Sequence, residues 1–300
     1  MVLRGDLLHG SYKHGGYQAF NISDPKPRYI HKAGVRDRLL HHAIYRVLYP
    51  FFERTFISDS YSCRPRKGTH RAIRRFRRLA YKAGNNNKRT CWVLKCDIKK
   101  FFASVDHGVL MTILGQYIPD ARITDLLGGI VGSFSSGRAG KGLPLGNLTS
   151  QLFVNVYMNR FDQFVKHGLK AKYYIRYSDD FVILSEKRPW LEAQIEPIGC
   201  FLRDELQLEL HPKKLSIKTL VSGVDFLGTV HFPDHLVLRT KTKRRMLHKI
   251  PKKYQDFQRG VISKESFNQS LQSYSGLLKH CNGYSILEKF EKLLSQEGQK

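Results

Sequence analysis

Apolar positions in this chain recur in two rhythms. From Val35 to Phe52, the residues Leu39, Leu40, Ala43, Ile44, Val47 and Leu48 fall at helical spacing and predict a helix stopped by Pro50. From about Thr69 to Lys82, a second helical face is made by Ala72, Ile73, Phe76, Leu79 and Ala80. Residues 91–98, Cys-Trp-Val-Leu-Lys-Cys-Asp-Ile, read instead as a buried strand ending in an acid. A helical region over about 107–133, a glycine-rich loop over 137–146 and an amphipathic helix over 148–165 follow. Residues 172–184 then carry two runs of β-branched and aromatic residues around Ser178, Asp179 and Asp180, which predicts a tight hairpin with those three at its tip. Beyond it the pattern predicts a helix over about 189–205, strands near 206–210, 215–218, 225–231 and 236–238, and a basic helical stretch after Thr240. Residues 1–30 are polar and end in an extended segment fixed by Pro25 and Pro27. This order suggests an α+β core between two flanks that bind nucleic acid.

Charge gives the acids their interest. The chain has 51 Lys and Arg against 25 Asp and Glu, a formal net charge of +26. Such an excess predicts an extended polyanionic partner held through its phosphates. The second helix carries Arg71, Arg74, Arg75, Arg77 and Arg78 with no acidic partner, better explained by phosphates than by a merely solvated face. So positive a body repels divalent cations unless acids cluster locally. An adjacent acid pair is by itself most simply a solvated turn. Asp97 and the Asp179–Asp180 pair, however, each lie at the end of an apolar strand, and if those strands are neighbours the acids converge. Such a cluster can hold two Mg²⁺ ions about 3.5–4 Å apart, a logic shared by polymerases and nucleases.

Composition limits the remaining options. No run approaches the roughly 18 apolar residues of a membrane span, and the start, Met-Val-Leu-Arg, has no secretory pattern. Cys63, Cys91, Cys96, Cys200 and Cys281 form no CxxC pair and predict reduced thiols rather than zinc ligands. A cytoplasmic location is expected.

The neighbourhood of the acids resembles reverse transcriptases, with the motifs in order. Arg28, Asp37-Arg38 and the segment Ser60-Tyr-Ser-Cys-Arg64-Pro65 look like fingers segments, and Asp97-Ile98-Lys-Lys-Phe101-Phe102 looks like the first catalytic motif. Tyr177-Ser178-Asp179-Asp180 matches the YxDD form, and Leu208-Glu-Leu-His-Pro-Lys213-Lys214 and Asp225-Phe-Leu-Gly228 look like later palm motifs. The resemblance implies a right-hand polymerase architecture: fingers over 1–90, an antiparallel-sheet palm over 91–240 with a helical insertion at about 107–140, and a helical thumb over 241–300. It implies two Mg²⁺ ions, with Mn²⁺ as a substitute, held by Asp97, Ile98, Asp179 and Asp180. Arg28 and Lys26 would meet the dNTP triphosphate, and Phe102 would crowd a ribose 2′-hydroxyl, Phe101 being the core member of the two. Leu145 and Gly146 would lie beneath the nascent pair, and Lys214, with Lys213 as competitor, near the leaving pyrophosphate. Template RNA and the RNA–DNA hybrid would contact Arg64, Arg71, Arg74, Arg75, Arg78, Gln151, Tyr177, Lys243, Arg244 and Arg245.

One departure narrows the resemblance. Leu143-Pro-Leu145-Gly146-Asn-Leu-Thr-Ser150-Gln151 has leucine where most of the family has glutamine, and glutamine where most have proline. That pattern, with residues 62–70 and Ser273-Tyr-Ser-Gly276, is similar to reverse transcriptases of diversity-generating retroelements. That branch, encoded by bacteria, archaea or phages, copies template adenines with errors and works with a small basic accessory protein. An aliphatic Leu145 cannot hydrogen-bond the nascent pair as glutamine can, which fits looser checking. The alternatives are a group II intron-like or phage-defence reverse transcriptase, and a catalytically idle RNA-binding scaffold. A scaffold predicts loss of a metal acid, yet all three are present.

Overall fold

The computed structural model describes residues 2–23 and 27–284 together with 286 and 288. The elements in chain order are α1 (Val2–Leu8), β1 (Tyr17–Ile22), β2 (Arg28–Ala33), α2 (Val35–Glu53), α3 (Thr69–Ala83), β3 (Trp92–Asp97), α4 (Phe101–Ser104), α5 (His107–Gly115) and α6 (Ala121–Gly132). They continue with α7 (Leu148–Gln163), β4 (Tyr173–Tyr177), β5 (Asp180–Ser185), α8 (Arg188–Ala193), α9 (Ile195–Leu206), β6 (Ser216–Thr219), β7 (Val224–Phe226), β8 (Thr229–His231), β9 (Leu236–Leu238), α10 (Thr240–Gln258) and α11 (Lys264–Leu278). The chain forms two compact units, residues 1–68 with 94–217 and residues 69–93 with 218–300.

In the first unit α7 is the central element. Apolar and polar residues alike are buried along it, from Thr149 to Asp162, because it is enclosed rather than amphipathic. A sheet of order β4-β5-β3-β6 runs through this unit, with β4 and β5 paired antiparallel from Tyr173 opposite Leu184 to Tyr177 opposite Asp180. Side chains on both of its faces, among them Leu94, Ile175, Phe181 and Ile183, are fully buried. β1 and β2 form a separate antiparallel hairpin. In the second unit α3 buries Ala72, Ile73, Phe76, Leu79, Ala80 and Ala83, as its periodicity predicts. Phe76 packs on Phe226 and His231 of the three-stranded sheet β7-β8-β9. Leu238, Met246, Ile250, Leu278 and Ile286 close a further core around α10 and α11.

Several local expectations are corrected. Pro50 does not stop α2: the helix continues to Glu53, because a proline in the last turn removes one N–H donor while Phe52 still packs to 1% exposure. The helical region after 107 is two helices, α6 starting where Asp120 caps the amides of Arg122 and Ile123. The helix over 189–205 is likewise two, α8 and α9. Residues 206–210 are not a strand; only Leu210 pairs, with Ile98. The strand over 225–231 is a hairpin, turned by Leu227 (φ 51°) and Gly228 (φ 87°). Two successive positive φ values give the turn type that matches strand twist. The cysteines are all free thiols, with Cys91 and Cys96 buried. No helix among the described residues is long and apolar enough to cross a membrane.

Candidate active site

The site is assembled at one end of the β4-β5-β3-β6 sheet. Asp97 is the last residue of β3 and Asp180 the first of β5, and these strands are sheet neighbours. The turn between β4 and β5 contains two residues rather than three: Ser178 and Asp179 form it, while Asp180 already pairs with Tyr177. Ser178 has φ 60° at the first turn position, which gives a tight hairpin its twist. The Ile98 amide donates to the Asp179 carbonyl at 3.2 Å, tying the end of β3 to the turn. Asp97 and the Asp179–Asp180 pair thus lie at the same end of the sheet, close enough for Asp97 to act electrostatically on both, although it is far from them in sequence.

Their electrostatics are set by burial and by the proximity of like charges. Burial pushes the Asp180 carboxyl up to about 6; Lys95, 3.5 Å away, pulls against this, while Asp97 and Asp179 add to it. Asp179 is also raised, by burial first and by Asp97 next. Asp180 Oδ1 is buried without a hydrogen-bond partner among the described residues. Lys214 donates to Asp97 Oδ1 at 2.8 Å, whereas Lys213 uses its amide to cap on His211. Of the two lysines, Lys214 is thus the one bonded to a carboxylate of the site.

Two residues that pattern reading passed over hold the turn in place. Arg176 is 1% exposed and forms a two-pronged ion pair with Asp162 of α7, Nε to Oδ1 at 2.7 Å and Nη2 to Oδ2 at 2.6 Å. Tyr174 donates to the same carboxylate at 2.7 Å. The remaining guanidinium nitrogen, Nη1, donates to the Ser178 carbonyl at 3.0 Å. A buried charge pair so fully hydrogen-bonded fixes geometry more than it adds stability. The available signal was the arginine inside the aromatic and aliphatic strand β4; α7 carries several polar residues besides Asp162 and gave none.

Arg28, Phe102 and Leu145 line one cavity of about 540 Å³, together with Tyr29, His31 and Phe134. Phe101 is buried at 3%, while Phe102 faces the cavity. The loop carrying Leu145 is pinned to β2: His31 N–H donates to the Leu145 carbonyl at 2.9 Å, and Asn147 Nδ2 donates to the His31 carbonyl at 2.9 Å. Gly146 has φ 109°, and a Cβ there would lie 2.8 Å from Ile30 Cγ2, so both conformation and space demand glycine. Gln151 and Tyr177 are half-buried in the same unit. Lys26 lies outside the described residues.

Arg64 corrects an expectation. It is 8% exposed, holds Glu53 with Nε at 2.9 Å and Nη2 at 2.7 Å, and donates Nη1 to the carbonyls of Ile57 and Ser60. A guanidinium committed in this way staples the 53–64 segment and is withdrawn from nucleic acid. In the second unit, Arg71, Arg74 and Arg78 are exposed and Arg75 half-buried on the polar face of α3. Lys243 and Arg244 are exposed and Arg245 half-buried on α10.

The carboxylates suit a hard divalent cation, since all their donors are oxygens and Asp180 keeps an unused one. Ile98 can contribute only a backbone carbonyl. Among the described residues no group of three or more His, Cys, Asp or Glu side chains is gathered closely enough to hold a metal ion by itself.

With this geometry established, comparison with known proteins identifies the fold. The family model for reverse transcriptase (RNA-dependent DNA polymerase) matches residues 22–231. Protein YkfC of Escherichia coli (strain K12) is 29% identical over 283 residues, covering 81% of this chain and 72% of that protein. Group II intron-encoded protein LtrA of Lactococcus lactis subsp. cremoris is 27% identical over 262 residues, covering 64% of this chain and 42% of that protein. Apo telomerase from Candida Tropicalis superposes with TM-score 0.58 at 9% identity, over 76% of this chain and 49% of that one. Telomerase from the same organism in complex with a TWJ fragment of telomeric RNA gives TM-score 0.55 at 12% identity, over 95% of this chain and 55% of that one. At such identities the telomerases show the fold, a mixed helix and sheet architecture of the right-hand polymerase type.

Proposed function

The chain belongs to the reverse transcriptase family of RNA-directed DNA polymerases, and from that premise we propose that it copies a template RNA into cDNA at Asp97, Asp179 and Asp180. Two Mg²⁺ ions, or Mn²⁺ in their place, would be held by these acids with the Ile98 carbonyl, supplying Lewis-acid activation of the primer 3′-hydroxyl and neutralising the departing pyrophosphate. Arg28, with Lys26, engages the incoming triphosphate. Phe102 crowds the ribose 2′ position and favours deoxynucleotides. Lys214, already 2.8 Å from Asp97, is placed to stabilise the leaving phosphates. Arg71, Arg74, Arg75, Arg78, Lys243, Arg244 and Arg245 grip the RNA–DNA hybrid by its backbone, with Gln151 and Tyr177 nearer the pair. Residues 1–90, 91–240 and 241–300 serve as fingers, palm and thumb.

The observation carrying this reading is that three half-buried acids lie at one end of a sheet whose unit also holds a cavity lined by Arg28, Phe102 and Leu145. Primer extension on an RNA template with Mg²⁺ and dNTPs tests it. Asp179→Ala should abolish synthesis, and equal synthesis by variant and wild type would sink the assignment.

The finer reading is a diversity-generating retroelement enzyme that miscopies template adenines and works in the cytoplasm with a small basic accessory protein. It rests on the loop 143–151, where an aliphatic Leu145 faces the cavity. Leu145→Gln is expected to lower misincorporation opposite adenine in sequenced cDNA; an unchanged error spectrum removes this account. The likeness to LtrA favours a second reading, a group II intron-like reverse transcriptase. A template repeat beside an adenine-varying copy in the genome separates the two.

A further inference from the structure

A second cleft, of about 370 Å³, adjoins the nucleotide cavity and shares Ala103 and Ser136 with its wall. Five cations line it: Lys99 and Lys100 from the turn after β3, Arg138 and Lys141 from the glycine-rich loop, and Arg203 from α9. Glu209 is the one acid in this lining, and no aromatic side chain is present on which a base could stack. The cleft therefore offers charge and polar groups but no stacking surface.

Its walls are tied to one another. Ser136 Oγ donates to the Ala103 carbonyl at 2.7 Å, Leu143 N–H to the Phe102 carbonyl at 2.8 Å, and Lys99 N–H to the Glu209 carbonyl at 2.9 Å. Gly142 has φ 103°, and a Cβ there would come within 2.6 Å of Ser136 Cβ, so the loop closes tightly on itself. The site is built before a ligand arrives. The Glu209 carboxylate already acts as a resident anion: Lys99 binds it at 2.7 Å and holds it below its usual range, with Arg138 and Lys141 adding to the pull. Asp106 takes Lys141 at 3.7 Å and Asp204 takes Arg203 at 3.0 Å. Lys100 and Arg138 make no side-chain hydrogen bond among the described residues.

We propose that this cleft is a polyphosphate site that takes the pyrophosphate leaving the nucleotide cavity, an inference that rests on the polymerase reading above. Each nucleotide addition forms a bond from the primer 3′-oxygen to the α-phosphorus and breaks the bond to the β-phosphate. The hydroxyl proton passes to solvent and one pyrophosphate is released. A compact cleft continuous with the nucleotide cavity suits two linked phosphates, whereas an RNA backbone needs a longer track of cations.

Calorimetry of the full chain with inorganic pyrophosphate, without nucleic acid, tests the site. Arg138→Gln combined with Lys141→Gln should weaken binding by about tenfold or more. Glu209→Gln, which removes the resident carboxylate, should strengthen it several-fold. Inhibition of primer extension by pyrophosphate should follow the same order. Unchanged pyrophosphate affinity in both variants overturns the proposal. So does a double variant that loses RNA–DNA hybrid affinity while binding pyrophosphate normally, which would make the cleft a nucleic-acid surface. Because binding is read without catalysis, a chain that shows this order yet extends no primer keeps the site and loses the polymerase reading.

Discussion

Asp180→Asn should make the ion-free protein more stable at pH 8 while removing its polymerase activity. In the folded chain, burial raises the Asp180 carboxyl from 3.8 to about 6, even with Lys95 pulling the other way. A carboxyl raised in this way binds its proton more tightly folded than unfolded. Its contribution is fully present below about pH 4, is lost as pH climbs through about 6, and stays lost above. Holding the ionised carboxylate in the metal-free site therefore costs the fold roughly 3 kcal/mol. Asparagine has the same shape and no charge, so it recovers about that amount, the Lys95 attraction being already contained in the shift. A gain of about 3 kcal/mol corresponds to a Tm rise of about 6–12 °C for a unit of this size.

The assay is thermal unfolding in EDTA at pH 8 and again at pH 4.5, followed by titration with Mg²⁺. The gap between variant and wild type should narrow at pH 4.5, where the wild-type carboxyl is largely protonated in the fold. Mg²⁺ should stabilise wild type more than the variant, since the ion relieves the repulsion that asparagine has already removed. A variant equal to or less stable than wild type at pH 8 in EDTA would refute the reasoning, because Asp180 would then be a structural acid.

Two further outcomes follow from the same geometry. Arg176→Met alone should cost about 3–5 kcal/mol in urea unfolding, because it leaves Asp162 buried and unneutralised; replacing the triad together (R176M, D162L, Y174F) should restore most of the stability but not primer extension, since the donor to the Ser178 carbonyl is still missing. Replacing Arg71 and Arg74 by Gln should reduce the steepness of hybrid affinity against log salt by about 0.7–0.9 per residue, uniformly across sequences, as read by anisotropy at several salt concentrations.

Sequence pattern revealed most about surfaces and least about buried charge. The apolar stripe of α3 was legible because a periodic apolar face forms only where a helix must bury one side. The acids at two strand ends were legible because a carboxylate closing an apolar run marks where the strand leaves the core. Arg176 and Asp162 were not, because hydropathy assigns both to solvent and their pairing depends on helix and strand meeting in space. The β1-β2 hairpin escaped because most of its residues are exposed and no alternation marks it. The turn at Leu227–Gly228 was hidden by a leucine in a conformation that leucine rarely adopts. Arg64 shows the reverse error, a cation read as a phosphate contact that the fold consumes internally.

The loop on which the proposed branch assignment rests is held in a way that makes the Leu145 side chain a clean variable. Leu145 is positioned through its carbonyl by the His31 amide, and the residues after it by Asn147 and by the steric demand at Gly146. None of these restraints involves the Leu145 side chain. Exchanging it for glutamine therefore changes what faces the cavity while leaving the main-chain restraints in place. One hydrogen bond is worth about 0.5–1.5 kcal/mol net, a factor of roughly two to ten in discrimination if it forms with the correct pair alone. The branch assignment thus turns on a local chemical difference, whereas the family assignment turns on the backbone that brings Asp97, Asp179 and Asp180 together.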